Sequence, residues 1–322
     1  MAPIRLLVIG KADAPHFRPI LDLAPAAEVR VGDAPDWLRT AIGDAEVILH
    51  GGYHGSEFRD AWPLARNVRW VHSLHAGVES MLSPEFVASP VPLTNARGVF
   101  AEPLAEFALA AILHFAKRVP AMMASQRERH WRIFEVEMAR GQVLGIVGYG
   151  EIGQAAGRLA AAIGMRVQGL RRRPENGAAD GIAERVFGPE GLPEMLRSSD
   201  YVLLAVPNAP GTRNLIGGAE LALMKASAVL INVGRGSVID QAALIDALRA
   251  KRIAGAALDV FAQEPLPPDD PLYALENVLI SFHSADRTAD WQQRAVRRFL
   301  DNFERFRTGQ PLIAVVDKAA GY

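Results

Sequence analysis

Three polar side chains in the second half of the chain each follow an apolar run: Arg235 in AVLINVGRGSVID, Glu264 in GAALDVFAQEPLP and His283 in NVLISFHSAD. Imidazole titrates near neutrality, so a histidine in such a position suits proton transfer. A neighbouring carboxylate stabilises the imidazolium, and a planar guanidinium pairs bidentately with a carboxylate. Together the three could hold an anionic acid and move one proton at its reacting centre. Alone, none is telling: an arginine is as readily an ion-pair partner, a glutamate before Pro265 a turn cap, and a histidine a satisfied buried ring. Their shared position is what joins them, because ligands of open α/β sheets bind at the carboxyl ends of strands.

Upstream, VLGIVGYGEIGQAAGRLAAAIG places Gly148, Gly150 and Gly153 as G-x-G-x-x-G between a strand-like run and an alanine-rich helix. In this context the glycines permit a tight turn, close approach to a pyrophosphate and close helix packing, with the helix N-terminus favouring the anion. The motif points to a dinucleotide cofactor. NAD-specific sites usually carry an acid at the end of the second strand, about 20 residues after the glycines. Here the run MRVQGL is followed by Arg171, Arg172 and Arg173, and the nearest acid, Glu175, lies beyond Pro174. Guanidinium groups pair with a 2′-phosphate that a carboxylate would repel, which favours NADP(H) and leaves NAD(H) possible. The nicotinamide would supply a hydride, and hydride addition to a ketone needs a proton donor such as His283 but no metal. His50, His54, His72 and His75 have neither the spacing nor the neighbouring carboxylates of a metal site.

The elements that must position these residues come in two series. IRLLVIG, AEVRV, EVILH, VRWVH and VPLT alternate with helix-like segments in the first third, as βα units do. VLGIV, RVQGL, RVF, YVLLAV, AVLIN, GAALD and VLI follow from Gln142, mostly as continuous apolar runs suited to strands covered on both faces. Between the series, EPLAEFALAAILHFAKRVP reads as an apolar helix that opens near Glu102 and closes before Pro120. The tail ADWQQRAVRRFLDNFERFRTG places Trp291, Ala295, Phe299, Asn302, Phe303 and Phe306 on one helical face, with LIAVV returning to the first unit. The fold class is α/β, with a second unit that is doubly wound.

A chain of 322 residues, half of them apolar, can bury more than one core, and its net charge of −1 gives no general attraction to nucleic acid or to an anionic membrane. The absence of cysteine excludes disulfides and thiolate chemistry. MAPIRLLVIG reads as a first strand and not as a signal peptide, and the apolar run 107–116 is too short to span a bilayer. A soluble, cytoplasmic protein is the expectation.

With VRWVHSLHAGVESML and LTNARGVFAEPLAEFALAAIL in the first half, these motifs resemble the D-isomer-specific 2-hydroxyacid dehydrogenase family over nearly the whole chain. The resemblance implies two domains: a flavodoxin-like substrate domain, 1–98 plus 288–322, and a Rossmann dinucleotide-binding domain, 99–287. They would close over a small 2-keto or 2-hydroxy acid, with hinges near 95–101 and 284–290. By matching motif, Arg235 would hold the substrate carboxylate, His283 would exchange the proton and adjoin the cofactor, and Glu264 would orient the imidazole. Leu74, His75, Ala76 and Gly77 would offer backbone amides to the carboxylate. Tyr149, Glu151 and Ile152 would join the glycines at the pyrophosphate, Pro207 and Thr212 would line the cofactor cleft, Val233 and Gly234 would support the nicotinamide, and Asp259 would bind its carboxamide.

The resemblance also implies a homodimer, for which helix 102–119 and QRERHWRIFEVE offer a face. His114 fits helix packing, and His130 with Trp131 an arm at a subunit contact. The chain departs from the family pattern at Phe282, where proline usually precedes the histidine, at Asp286, where glycine is common, and at Asn208, where threonine is common. The favoured activity is reduction of glyoxylate or hydroxypyruvate. Phosphoglycerate oxidation fits less well, since SLHAGVES offers no cationic clamp and no regulatory domain is appended. A non-catalytic nucleotide-sensing protein on the same fold would have no need of Arg235, Glu264 and His283 together.

Overall fold

The computed structural model describes residues 2–52, 55–176, 181–209 and 211–322; His54 lies outside them. The chain divides into two compact units, Met1–Phe100 with Thr288–Tyr322, and Ala101–Arg287. The fold is α/β in both.

In the first unit, strands β1 (Ile4–Ile9), β2 (Ala27–Gly32), β3 (Val47–His50), β4 (Trp70–Ser73) and β5 (Leu93–Asn95) form a parallel sheet of order β2-β1-β3-β4-β5. This is the flavodoxin-like order. Every residue of β3 and β4 is buried, as strands covered on both faces require. The helix Trp291–Arg307 buries Ala295, Phe299 and Phe303, and Phe299 stacks on Trp70 with ring centroids 5.3 Å apart. Asn302, also buried, exchanges two hydrogen bonds with the backbone of Ile313. Beyond them Val315 bridges to Thr94, returning the C-terminal segment to the sheet.

The second unit holds seven parallel strands: β6 (Val143–Val147), β7 (Arg166–Leu170), β8 (Arg185–Phe187), β9 (Tyr201–Leu204), β10 (Val229–Asn232), β11 (Gly255–Leu258) and β12 (Val278–Ile280). Their order, β12-β11-β10-β9-β6-β7-β8, is that of a doubly wound dinucleotide-binding sheet, with the winding direction reversing between β6 and β9. Each strand falls on one of the apolar runs. The apolar helix Ala101–Ala116 packs against the helix Glu151–Ala162.

The apolar helix ends earlier than the sequence suggests. Arg118 adopts φ 52°, and Pro120 sits in the first turn of a second helix, Val119–Arg127, whose axis bends by 63° from the first. Proline fits a first turn because its missing N–H has no intrahelical acceptor there. Among the described residues, no single helix is long and apolar enough to cross a membrane. After this helix the chain runs extended. Glu137 N donates to Ala116 O, and Arg118 lies over the Phe134 ring, while Trp131 and Ile133 are 91% and 88% exposed.

His72, on β4, is fully buried. Its Nδ1 is 2.7 Å from Thr94 Oγ1, which also accepts from Trp70 Nε1 at 2.8 Å. Burial, helped by the charge of Arg298, pushes the imidazole down to about 3. In the unfolded chain the ring takes a proton at its ordinary value near 6.5, but the folded ring does not until about pH 3. Its contribution to stability is therefore intact above pH 6.5 and declines as the pH falls toward 3, by about 1.4 kcal/mol per pH unit. Urea unfolding of the protein and of His72→Gln between pH 6.5 and 4.5 should show a shallower loss of stability in the variant by about this slope; equal slopes would refute it.

Candidate active site

Read across the second unit's sheet, the carboxyl ends of the strands present His283 after β12, Asp259 and Glu264 after β11, Val233, Gly234 and Arg235 after β10, and Pro207 and Thr212 after β9. The glycine loop follows β6, and the three arginines follow β7. One edge thus gathers every candidate cofactor and proton-transfer residue.

The glycine loop is shaped by contacts that only glycine permits. Gly148 has φ 97°, and a Cβ there would stand 2.6 Å from Ala205 O; at Gly153 it would stand 2.5 Å from Gly148 O. At Gly150 a Cβ would meet nothing within 4 Å, so the second glycine leaves open space before the helix. Gly150 is the N-cap of the helix Glu151–Ala162 and offers no side-chain cap, and Glu151 is the acid in the first turn. An open cradle at the N-terminus of a twelve-residue helix fits a pyrophosphate. Tyr149 turns inward: its ring is buried against Gly157 and Gly169, and its amide donates to Leu170 O. Gly148 N donates to the same carbonyl, and Arg171 is the next residue. The phosphate loop and the arginine run are therefore fastened to each other.

Thr212 closes its loop with a hydroxyl that donates to Pro207 O at 2.6 Å and accepts from Ala209 N. Asn232, the last residue of β10, is fully buried. Its Oδ1 accepts from Gly234 N and its Nδ2 donates to Arg235 O, both at 3.0 Å, so one amide holds both ends of the turn that carries the guanidinium. Arg235 Nη1 donates to Gly234 O at 2.8 Å. The sequence draws attention to Arg235 and passes over Asn232, two residues before the glycine of the same NVGRG motif.

His283 Nδ1 lies 2.7 Å from Glu264 Oε2, with both side chains partly exposed. Glu264 Oε1 accepts from Phe261 N. The hydrogen bond to Glu264, then the charge of Glu264 and that of Asp259, hold the imidazole above its ordinary value against burial and the charge of Arg235. Burial drives Glu264 upward, but its bonds to His283 and Phe261 and the charges of His283 and Arg235 outweigh it, so this carboxyl lies below its ordinary range. Asp259, buried at the end of β11, accepts on Oδ1 from Ser281 Oγ, Ser284 N and Ala285 N. Burial, and then the charge of Asp259, push Asp286 up.

The 74–77 segment belongs to the first unit. Leu74 N donates to His50 O and His75 N to Ser73 Oγ, so two of its four amides are engaged. Among the described residues, the amides of Ala76 and Gly77 meet no acceptor, and Asn95 Nδ2 steadies the turn through Ala76 O at 2.6 Å.

A family model for the D-isomer specific 2-hydroxyacid dehydrogenase, NAD binding domain, matches residues 109–285. The chain belongs to the D-isomer specific 2-hydroxyacid dehydrogenases. A glyoxylate reductase of Korarchaeum cryptofilum is 36% identical over 78% of this chain and 76% of its own length. The crystal structure of a D-isomer specific 2-hydroxyacid dehydrogenase from Xanthobacter autotrophicus, in complex with NADPH and MES, superposes with a TM-score of 0.82 at 31% identity, covering 100% of both chains. An NADPH-dependent glyoxylate/hydroxypyruvate reductase of Sinorhizobium meliloti, in complex with NADP and sulfate, gives 0.84 at 26% identity over 99% of this chain and 100% of that one. The dehydrogenase is thus an oxidoreductase whose second unit is a nicotinamide-dinucleotide domain.

In this dehydrogenase the Asn232 clamp should be measurable. Asn232→Ala leaves Gly234 N–H and Arg235 C=O without their side-chain partner in a buried turn, a loss of about 1–3 kcal/mol in denaturant unfolding. A loss below about 0.5 kcal/mol would show that the turn holds itself.

Proposed function

We propose that the dehydrogenase reduces a small 2-keto acid, glyoxylate or hydroxypyruvate, with NADPH in preference to NADH. The observation that carries this reading is the His283 imidazole set 2.7 Å from the Glu264 carboxylate, on the sheet edge that bears the glycine loop. Bound in that loop, the nicotinamide cofactor supplies the hydride.

The chain's own residues supply the rest. Because Nδ1 of His283 is engaged by Glu264, Nε2 is the atom that gives a proton to the carbonyl oxygen in reduction and takes it back in oxidation. Glu264 keeps the ring charged and aimed. The Arg235 guanidinium pairs with the substrate carboxylate and draws charge from the carbonyl, and the amides of Ala76 and Gly77 are the further carboxylate donors of this reading. Asp259 Oδ2 is the oxygen left for the nicotinamide carboxamide, since Oδ1 serves the 281–285 loop. Val233 and Gly234 support the ring from the end of β10, and Glu151 and Ile152 receive the pyrophosphate at the helix N-terminus.

The preference for NADPH rests on Arg171 and Arg172, with Arg173 beside them, following β7 where an acid would select NAD. NADPH also occupies the similar Xanthobacter structure. The homodimer of this reading is supported by Trp131 and Ile133, whose exposure on the extended arm a second copy would cover. A cytoplasmic setting accords with the absence of cysteine.

His283→Ala should lower NADPH-dependent reduction by about 100- to 10,000-fold with cofactor affinity largely intact, and in the parent protein reduction should persist through neutrality and fall as the pH rises past the raised imidazole value. Turnover kept by the variant would remove His283 from the proton step. Replacing Arg171 and Arg172 with glutamine should weaken NADPH about 10- to 100-fold, measured by fluorescence titration, and leave NADH within a factor of about three. An equal effect on both would assign the arginines to the loop alone.

A further inference from the structure

Three rings of the first unit meet beside the 74–77 loop. The His75 imidazole lies 5.7 Å, centroid to centroid, from the indole of Trp291, and that indole lies 6.0 Å from the Phe100 ring. At such separations aromatic rings are in contact. Phe100 and Nε2 of His75 are buried, whereas Trp291 is partly exposed. The rings therefore offer a closed surface and not a recess.

Hydrogen bonds fix both ends of this wall. His75 N donates to Ser73 Oγ at 3.2 Å, and Asn95 Nδ2 donates to Ala76 O at 2.6 Å, which holds the backbone that carries the imidazole. Trp291 opens the helix Trp291–Arg307, and its amide donates to Thr288 O. Nearly one turn on, Arg294 Nη2 donates to Thr288 Oγ1 at 2.6 Å, and that hydroxyl donates to Asp290 Oδ1 at 2.9 Å. Arg294 Nε stands 3.4 Å from the same carboxylate oxygen, so the turn that bears the indole is braced. A wall held in this way discriminates by size, because packed neighbours that cannot give make an added methylene costly.

The wall also stands where a 2-keto acid carries its substituent. The carbonyl carbon of His75 bears the Ala76 amide nitrogen, so the imidazole rises next to the first of the two amides read as carboxylate donors. In a 2-keto acid the substituent on C2 begins two bonds from the carboxylate carbon, within reach of a ring so placed. We infer that His75 and Trp291 are specificity-determining residues: their rings bound that substituent, admitting the hydrogen of glyoxylate or the hydroxymethyl group of hydroxypyruvate and turning away branched chains. The inference rests on the reading of Ala76 and Gly77 as the carboxylate site.

The test measures kcat/KM of the full-length protein for glyoxylate and for 4-methyl-2-oxopentanoate, with NADPH, in the parent, His75→Ala and Trp291→Leu. Alongside, calorimetry on the NADPH complex compares oxamate with N-isopropyloxamate, unreactive analogues with a small and a branched substituent. The parent should prefer glyoxylate and oxamate. Each variant should raise the ratio of branched to small acid about tenfold or more, since one methylene in an apolar pocket is worth about 10- to 200-fold. A merely structural role would lower both acids together and leave the ratio in place. If Trp291→Leu does not fold, Trp291→Phe, which keeps one ring of the indole's two, should show the same shift in smaller measure. A ratio unchanged within about threefold in a folded variant that still reduces glyoxylate overturns the inference and leaves the reductase reading standing, as does a parent that takes the branched acid as readily as glyoxylate. A parent that reduces neither acid but binds oxamate above N-isopropyloxamate, with that preference lost in the variants, supports the wall and overturns the reductase reading.

Discussion

The reactive edge of the second unit depends on Asp259. Its amide donates to Asn232 O at the end of β10, its carbonyl accepts from His283 N, and one buried carboxylate oxygen accepts from three donors of the loop after β12. A buried carboxylate is stable only when such bonds offset its desolvation. Here they also join three neighbouring strand ends. Asn232 fixes the Arg235 turn in the same way, so guanidinium and imidazole sit on backbones braced before any ligand arrives, which is what electrostatic catalysis asks of a site.

Strand order distributes the chemistry. β10, β11 and β12 lie on one side of the point where the winding reverses, and β6 and β7 on the other. The first group carries Arg235, Glu264 and His283, and the second carries the glycine loop and the arginines. That arrangement is one physical reason why a shared fold can pair different cofactors with different acids.

The strands and the glycine loop were legible in the sequence because each signal is local: a continuous apolar run, or glycines at fixed spacing before a helix. The proximity of Glu264 to His283 was legible only through resemblance, since 19 residues separate them and β12 lies between. What the sequence withheld depends on register and torsion. Nothing local says that Tyr149 fills the space above Gly169, that the amides of Leu74 and His75 are already engaged, or that Asn232 and Asp259 spend their side chains on turns. Pro120 read as a helix stop, whereas the left-handed Arg118 does the stopping and Pro120 starts the next helix. The departure at Phe282 was visible as a residue type, and the positive φ angles of Phe282 and His283 were not.

One carbonyl oxygen, that of Leu170, receives the amides of both Gly148 and Tyr149 and precedes Arg171 directly. For protein engineering this atom is a boundary. A graft meant to exchange the arginine run for an acidic turn can begin at position 171 and leave the phosphate cradle standing. A graft that reaches back into β7 must keep glycine at 169, where a Cβ would stand 2.6 Å from the Tyr149 ring and push that residue, and the loop it belongs to, out of place.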